Sequence, residues 1–142
     1  MELCQAPDAR HLFVYGSLVQ PTCLDEVLGH RHLGERLAAR LANYGRRIRS
    51  SYPYPFIVAE PGASVEGVLL LDLSPYDLQV LDRYEEVESG VYRRELVEVE
   101  AWGCGARPIH VRADAYIAGP ALDASTANQP ERNVWVPHLH NR

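Results

Sequence analysis

Residues His11-Leu12-Phe13-Val14-Tyr15 read as a short buried strand that Gly16 stops, because β-branched and aromatic residues suit a pleated, half-buried surface. A loop follows at once. Pro21 then suits the first turn of a helix, where its missing N–H is not needed. Leu24, Val27 and Leu28 fall on one face of that helix before Gly29 ends it.

Further along, Leu33, Leu37 and Leu41 recur at helical spacing, while Asn43 and Gly45 weaken a helix over Leu41 to Ile48. The prolines of Tyr52-Pro53-Tyr54-Pro55 force extended geometry on the residues before them, and Phe56-Ile57-Val58 continues as a strand. Pro61-Gly62 is read as a turn, and Val65 to Leu73 as the second strand of a hairpin. Ser74-Pro75-Tyr76-Asp77 predicts a helix start, with a hydroxyl cap, proline at the first position and an acid near the positive end of the dipole. That helix should run to about Tyr84, with Leu78 and Leu81 buried, before Ser89-Gly90 breaks the chain. Tyr92 to Ala101 and Ile109 to Ile117 keep a period of two and predict a further strand pair. From about 121 the chain reads as an irregular tail with Trp135 and Val136 as its anchors.

With 142 residues, 46% of them hydrophobic and 23% charged, the expectation is one folded domain spanning 1–142. The net charge of -5 and scattered arginines argue against a nucleic-acid partner. Arg46-Arg47 with Arg49 reads as a solvated face. Cys4, Cys23 and Cys104 lack a Cys-x-x-Cys pair, and His30, His32, His138 and His140 lack metal-site spacing and read as surface residues. No window resembles a membrane span or a leader peptide, so a cytoplasmic location without a membrane partner is expected.

Two segments carry chemistry. Tyr15-Gly16-Ser17-Leu18 combines a strand end, a glycine that permits close approach and successive amides ahead of a helix, a nest that suits a carboxylate. Glu85 lies at the end of the helix beginning at Pro75, where the negative end of the dipole and Asp82, Glu86 and Glu88 disfavour another charge. A carboxylate so moved from about 4.3 toward neutrality is a better general base. Taken alone, the tetrapeptide also describes a plain strand-to-helix turn, and the acidic run a solvated loop.

Together these segments resemble the gamma-glutamylcyclotransferase-like proteins, a family that includes gamma-glutamylamine cyclotransferase and the plant avirulence-induced relatives. The resemblance runs in order from Leu12 to Gly119, through Phe13-Val14-Tyr15-Gly16-Ser17-Leu18, Tyr54-Pro55-Phe56-Ile57-Val58, Val65-Glu66-Gly67-Val68 and Leu81-Asp82-Arg83-Tyr84-Glu85 with Tyr92-Arg93-Arg94. It implies an α+β fold, a small mixed β-barrel with flanking helices, and a strand near Leu41 to Ile48. It also implies that Glu85 is the catalytic residue, that Tyr15, Gly16, Ser17 and Leu18 hold a carboxylate, and that Tyr92 lines the pocket. Several members carry glycine after that glutamate, where this chain has Glu86.

The implied reaction closes the substrate's own α-amine onto its γ-carbonyl, releasing 5-oxoproline and an amine, with Glu85 moving the proton and no metal or organic cofactor required. Two other readings remain at this point. One is a non-catalytic module of the same fold that binds a small carboxylate; the other is a related enzyme that removes a γ-glutamyl protecting group.

Overall fold

A computed structural model describes residues 10–49, 52–103, 105–123 and 129–130. The strands are β1 (Arg10–Val14), β2 (Arg36–Arg49), β3 (Tyr52–Leu73), β4 (Tyr92–Trp102), β5 (Ile109–Ala118) and β6 (Gln129–Pro130). The helices are α1 (Pro21–Leu28), α2 (Pro75–Tyr84) and one turn, α3 (Pro120–Asp123).

Hydrogen-bonded neighbours follow the order β3-β1-β5-β4-β2, and β2 pairs again with β3, so five strands close on themselves. The barrel is mixed. β1 runs parallel to β5, with Leu12 opposite Asp114, and the other pairs are antiparallel. Its interior is filled by alternate residues of all five strands, among them Phe13, Leu41, Leu69, Val99 and Ala113. The intervening residues of β1, Leu12 and Val14, face outward under Leu24 of α1 and Leu78 and Leu81 of α2. Burial on both faces is why the first apolar run does not alternate.

β2 replaces the helical spacing of Leu33, Leu37 and Leu41, and it is longer than the strand expected from Leu41 to Ile48. A spacing of four is also twice the strand period, so Leu37, Ala39 and Leu41 share one strand face, while Leu33 is 86% exposed. The hairpin expected around Pro61-Gly62 is also corrected. Phe56–Val58 and Val65–Leu70 both pair with β2, as consecutive parts of the single strand β3. Pro61 and Gly62 lie in a bulge, where four residues of β3 (60–63) stand opposite Asn43 of β2. Asn43 takes a left-handed φ of 67° and its side chain accepts a hydrogen bond from the Gly62 amide at 3.1 Å.

The helix signals match the structure closely. Ser74 and Asp77 form a reciprocal capping box at α2, and Gly29 ends α1 with a φ of 79°. At the start of the expected tail, Leu122 of α3 is buried against the outer core. Trp135, Val136, Cys4, Cys104, His138 and His140 lie outside the described residues.

Candidate active site

β1 ends inside the barrel wall, and its last residues deliver the 15–18 loop to the barrel's rim. There Ser17–Val19 make a single tight helical turn, whose first amides have no acceptor within the turn itself. Tyr15 and Leu18 are buried, while Gly16 and Ser17 are only half-buried. The Tyr15 hydroxyl donates to the Tyr116 carbonyl at 2.6 Å, so this loop can present backbone, and not the Tyr15 phenol, to a ligand.

Arg46 fixes the loop from the other side. Its guanidinium donates to the Tyr15 carbonyl at 3.0 Å and lies 5.9 Å from the centre of that ring. Across a planar trans peptide the Gly16 N–H then points away from Arg46. The arginine cluster is therefore more than a solvated face: Arg47 also pairs with Glu60 at 2.6 Å.

Glu85 caps the C-terminus of α2, with its amide donating to the Leu81 carbonyl at 2.8 Å. Fully buried Leu81 anchors that last turn, and Glu85 itself is half-buried. Tyr84, one residue earlier, holds its hydroxyl 3.2 Å from Ser17 Oγ and 3.9 Å from Cys23 Sγ. Burial pushes the Tyr84 phenol well above its ordinary value, so it stays a neutral link between helix and loop. This bond joins the two segments that sequence alone had only juxtaposed.

Tyr15, Gly16, Ser17, Leu18, Glu85 and Tyr92 all line one cleft, together with Tyr54, Pro55 and Tyr116. Tyr92 is buried and its hydroxyl donates to the Pro55 carbonyl at 2.8 Å, which ties β4 to β3 across the cleft floor. An added Cβ on Gly16 would lie 3.7 Å from Pro55 Cγ, inside the gap between loop and strand.

Tyr116 belongs to a network that residue spacing did not disclose. Its hydroxyl donates to Asp82 at 2.7 Å, and Arg94 grips the same carboxylate through two bonds of 2.8 and 3.1 Å. Arg94 also lies 3.3 Å from Asp114, which Arg10 meets at 2.9 Å. Burial first, then the Asp82 bond, holds the Tyr116 phenol far above its usual range. The signal was available only as Asp82 and Arg94 flanking Glu85, with no spacing that demands their contact.

The histidines lie elsewhere. His30 is half-exposed and bonds Asp77 at 2.7 Å, but His32, expected at the surface, is half-buried. Among the described residues no three His, Cys, Asp or Glu side chains converge as a metal site, and no helix is long and apolar enough to cross a membrane.

A family model described as "Gamma-glutamyl cyclotransferase, AIG2-like" matches residues 12–137. AIG2-like protein C of Arabidopsis thaliana is 33% identical over 91 residues, 64% of this chain and 50% of that protein. The chain spans about half the length of the curated relatives it matches. The solution structure of another Arabidopsis thaliana protein superposes with a TM-score of 0.70 at 23% identity, covering 91% of this chain and 80% of the other. A structure titled "Gamma-glutamyl cyclotransferase" gives a TM-score of 0.63 at 20% identity, over 78% and 66% of the two chains. At these identities the structural likeness establishes the fold.

Proposed function

We propose, for a chain that belongs to the gamma-glutamyl cyclotransferase, AIG2-like family, that it cyclises γ-glutamyl compounds to 5-oxoproline and a free amine. The observation that carries this reading is that Glu85 and residues 15–18 line one cleft.

In such a substrate the α-nitrogen attacks the γ-carbonyl; a C–N bond to that nitrogen forms and the C–N bond to the leaving amine breaks. Two protons pass from the α-ammonium to the departing nitrogen, and nothing else is consumed. A carboxylate near the α-nitrogen can take the first proton and later return one to the leaving group, a contribution of about 10²- to 10⁴-fold. Glu85 is assigned that role. The amides of Gly16, Ser17 and Leu18 are assigned the substrate's α-carboxylate, which fixes the amine against its own carbonyl. Tyr92 is assigned the wall that orients the chain between them, through its hold on Pro55.

The test is 5-oxoproline release from γ-glutamyl amino acids, γ-glutamylamines and glutathione. Glu85→Gln is expected to lower kcat/KM at least a hundredfold with an unchanged unfolding midpoint. Full turnover by the folded variant would remove Glu85 from the mechanism. No product from any substrate, with 5-oxoproline still bound, would favour a module that only binds small carboxylates.

A further inference from the structure

Arg94 of β4 and Tyr116 of β5 stand directly opposite each other in the sheet register, and both side chains converge on one carboxylate of α2, Asp82. Tyr116 also meets the loop, because its main-chain carbonyl accepts a hydrogen bond from the Tyr15 hydroxyl. One residue thus touches the loop through its backbone and the helix through its phenol. The helix contact falls close to Glu85. Asp82 lies three residues before it, and the Glu85 amide still donates to the Leu81 carbonyl, so the helical turn carries through both positions. Among the described residues the cleft walls include Tyr116 and Glu85 but neither Asp82 nor Arg94.

Leu78 and Leu81 bury α2 against the outer core, but apolar contact is non-directional and does not by itself fix how a helix is rotated. The Asp82 and Arg94 side chains are each 26% exposed, and an ion pair so open to water adds little stability. What it does add is geometry, because two bonds of 2.8 and 3.1 Å set both the distance and the plane of the carboxylate. Resting on the cyclisation reading above, we propose that Asp82 and Arg94 are positioning residues, which pin the last turn of α2 to β4 and β5 and so hold Glu85 at a fixed reach from the 15–18 loop. Arg94 also lies 3.3 Å from Asp114, and β5 at that residue pairs with β1, the strand that delivers the loop. Without Asp82 the turn that carries Glu85 loses its polar tie to the barrel, while the loop keeps its own bonds to Arg46 and to the Tyr116 carbonyl. The substrate's carboxylate would still be held, but the base would no longer be aimed.

Kinetics of 5-oxoproline release test this in the full chain with Asp82→Ala and Tyr116→Phe, alongside their unfolding midpoints. Alanine favours the helix and leaves Arg94 its contact with Asp114, so Asp82→Ala is expected to fold. Should it not, Tyr116→Phe removes only the hydroxyl and carries the same comparison. Asp82→Ala is expected to lower kcat roughly tenfold or more and Tyr116→Phe about threefold, each with KM within about twofold of native. In a Glu85→Gln background either substitution is expected to cost less than about twofold further, because a base already absent cannot be misaimed. An undiminished kcat in both folded variants overturns the inference and leaves the cyclisation reading intact. So does an equal loss in the native and Glu85→Gln backgrounds, since Asp82 would then act independently of Glu85. Full turnover by Glu85→Gln, or no 5-oxoproline from the native chain, overturns both.

Discussion

Glu86 adopts a φ of 55°, in the left-handed region where a side chain collides with the following carbonyl. The position follows the helix cap at Glu85, and a glycine there would remove the collision while making the unfolded chain more flexible. The two effects oppose, at roughly 1–2 kcal/mol for the strain and about 0.5–1 for the flexibility. Glu86→Gly is therefore expected to raise stability by about 0.5–1 kcal/mol in urea titrations. A lower midpoint would show that contacts of the Glu86 side chain outweigh the backbone strain. At this scale sequence discloses local chemistry and conceals long-range partners. Glu85 and the 15–18 loop were readable because each is a contiguous motif. Arg46 was not, because its bond to the Tyr15 carbonyl spans 31 residues and depends on β3 pairing with both β1 and β2. Tyr84 to Ser17 spans 67 residues, and only the packing of α2 beside α1 creates it.

Helix α2 carries the cap at one end and Glu85 at the other, so its start and the position of Glu85 are mechanically joined. Ser74→Ala removes the acceptor for the Asp77 amide, a bond of 3.0 Å, and is expected to cost about 1 kcal/mol of stability. Chemical denaturation measures that loss. If catalysis proceeds as proposed, Ser74→Ala should leave KM nearly unchanged, since the loop that holds substrate is not touched. Elements with local punctuation were legible: Ser74-Pro75 for α2, Pro21 and Gly29 for α1. The long hairpin of β2 and β3 was not. A Pro-Gly pair has the same local preferences in a hairpin turn and in a bulge. The choice was made by Asn43, across the ladder, whose side chain satisfies the Gly62 amide.

At the scale of the whole molecule, His11, His32 and His30 make stability depend on pH. His11, on β1, accepts a bond from the Asp72 amide at 3.3 Å, and burial lowers its pKa from 6.5. Burial does the same for His32. In both cases the unfolded chain binds a proton more readily than the fold, so stability is complete above pH 6.5 and falls as the pH drops below it. His30 has the opposite sign: its bond to Asp77 raises its pKa, so its contribution is present below 6.5 and fades as pH rises through the folded value. Its exposure keeps that contribution small. Melting temperatures from pH 7.5 to 5.5 are expected to fall for the native chain and to fall less for a His11→Asn, His32→Gln double variant. A native profile flat over that range would contradict the burial argument.

The parallel contact of β1 with β5 joins Leu12 to Asp114, about a hundred residues apart. During synthesis the opening strand leaves the ribosome long before its lateral neighbour exists, and long-range parallel pairings are slow to form. A nascent polypeptide thus carries both the loop and the glutamate well before it has a wall to aim them. Any catalytic competence must arrive late and at once, when the final barrel strand slides in beside the first.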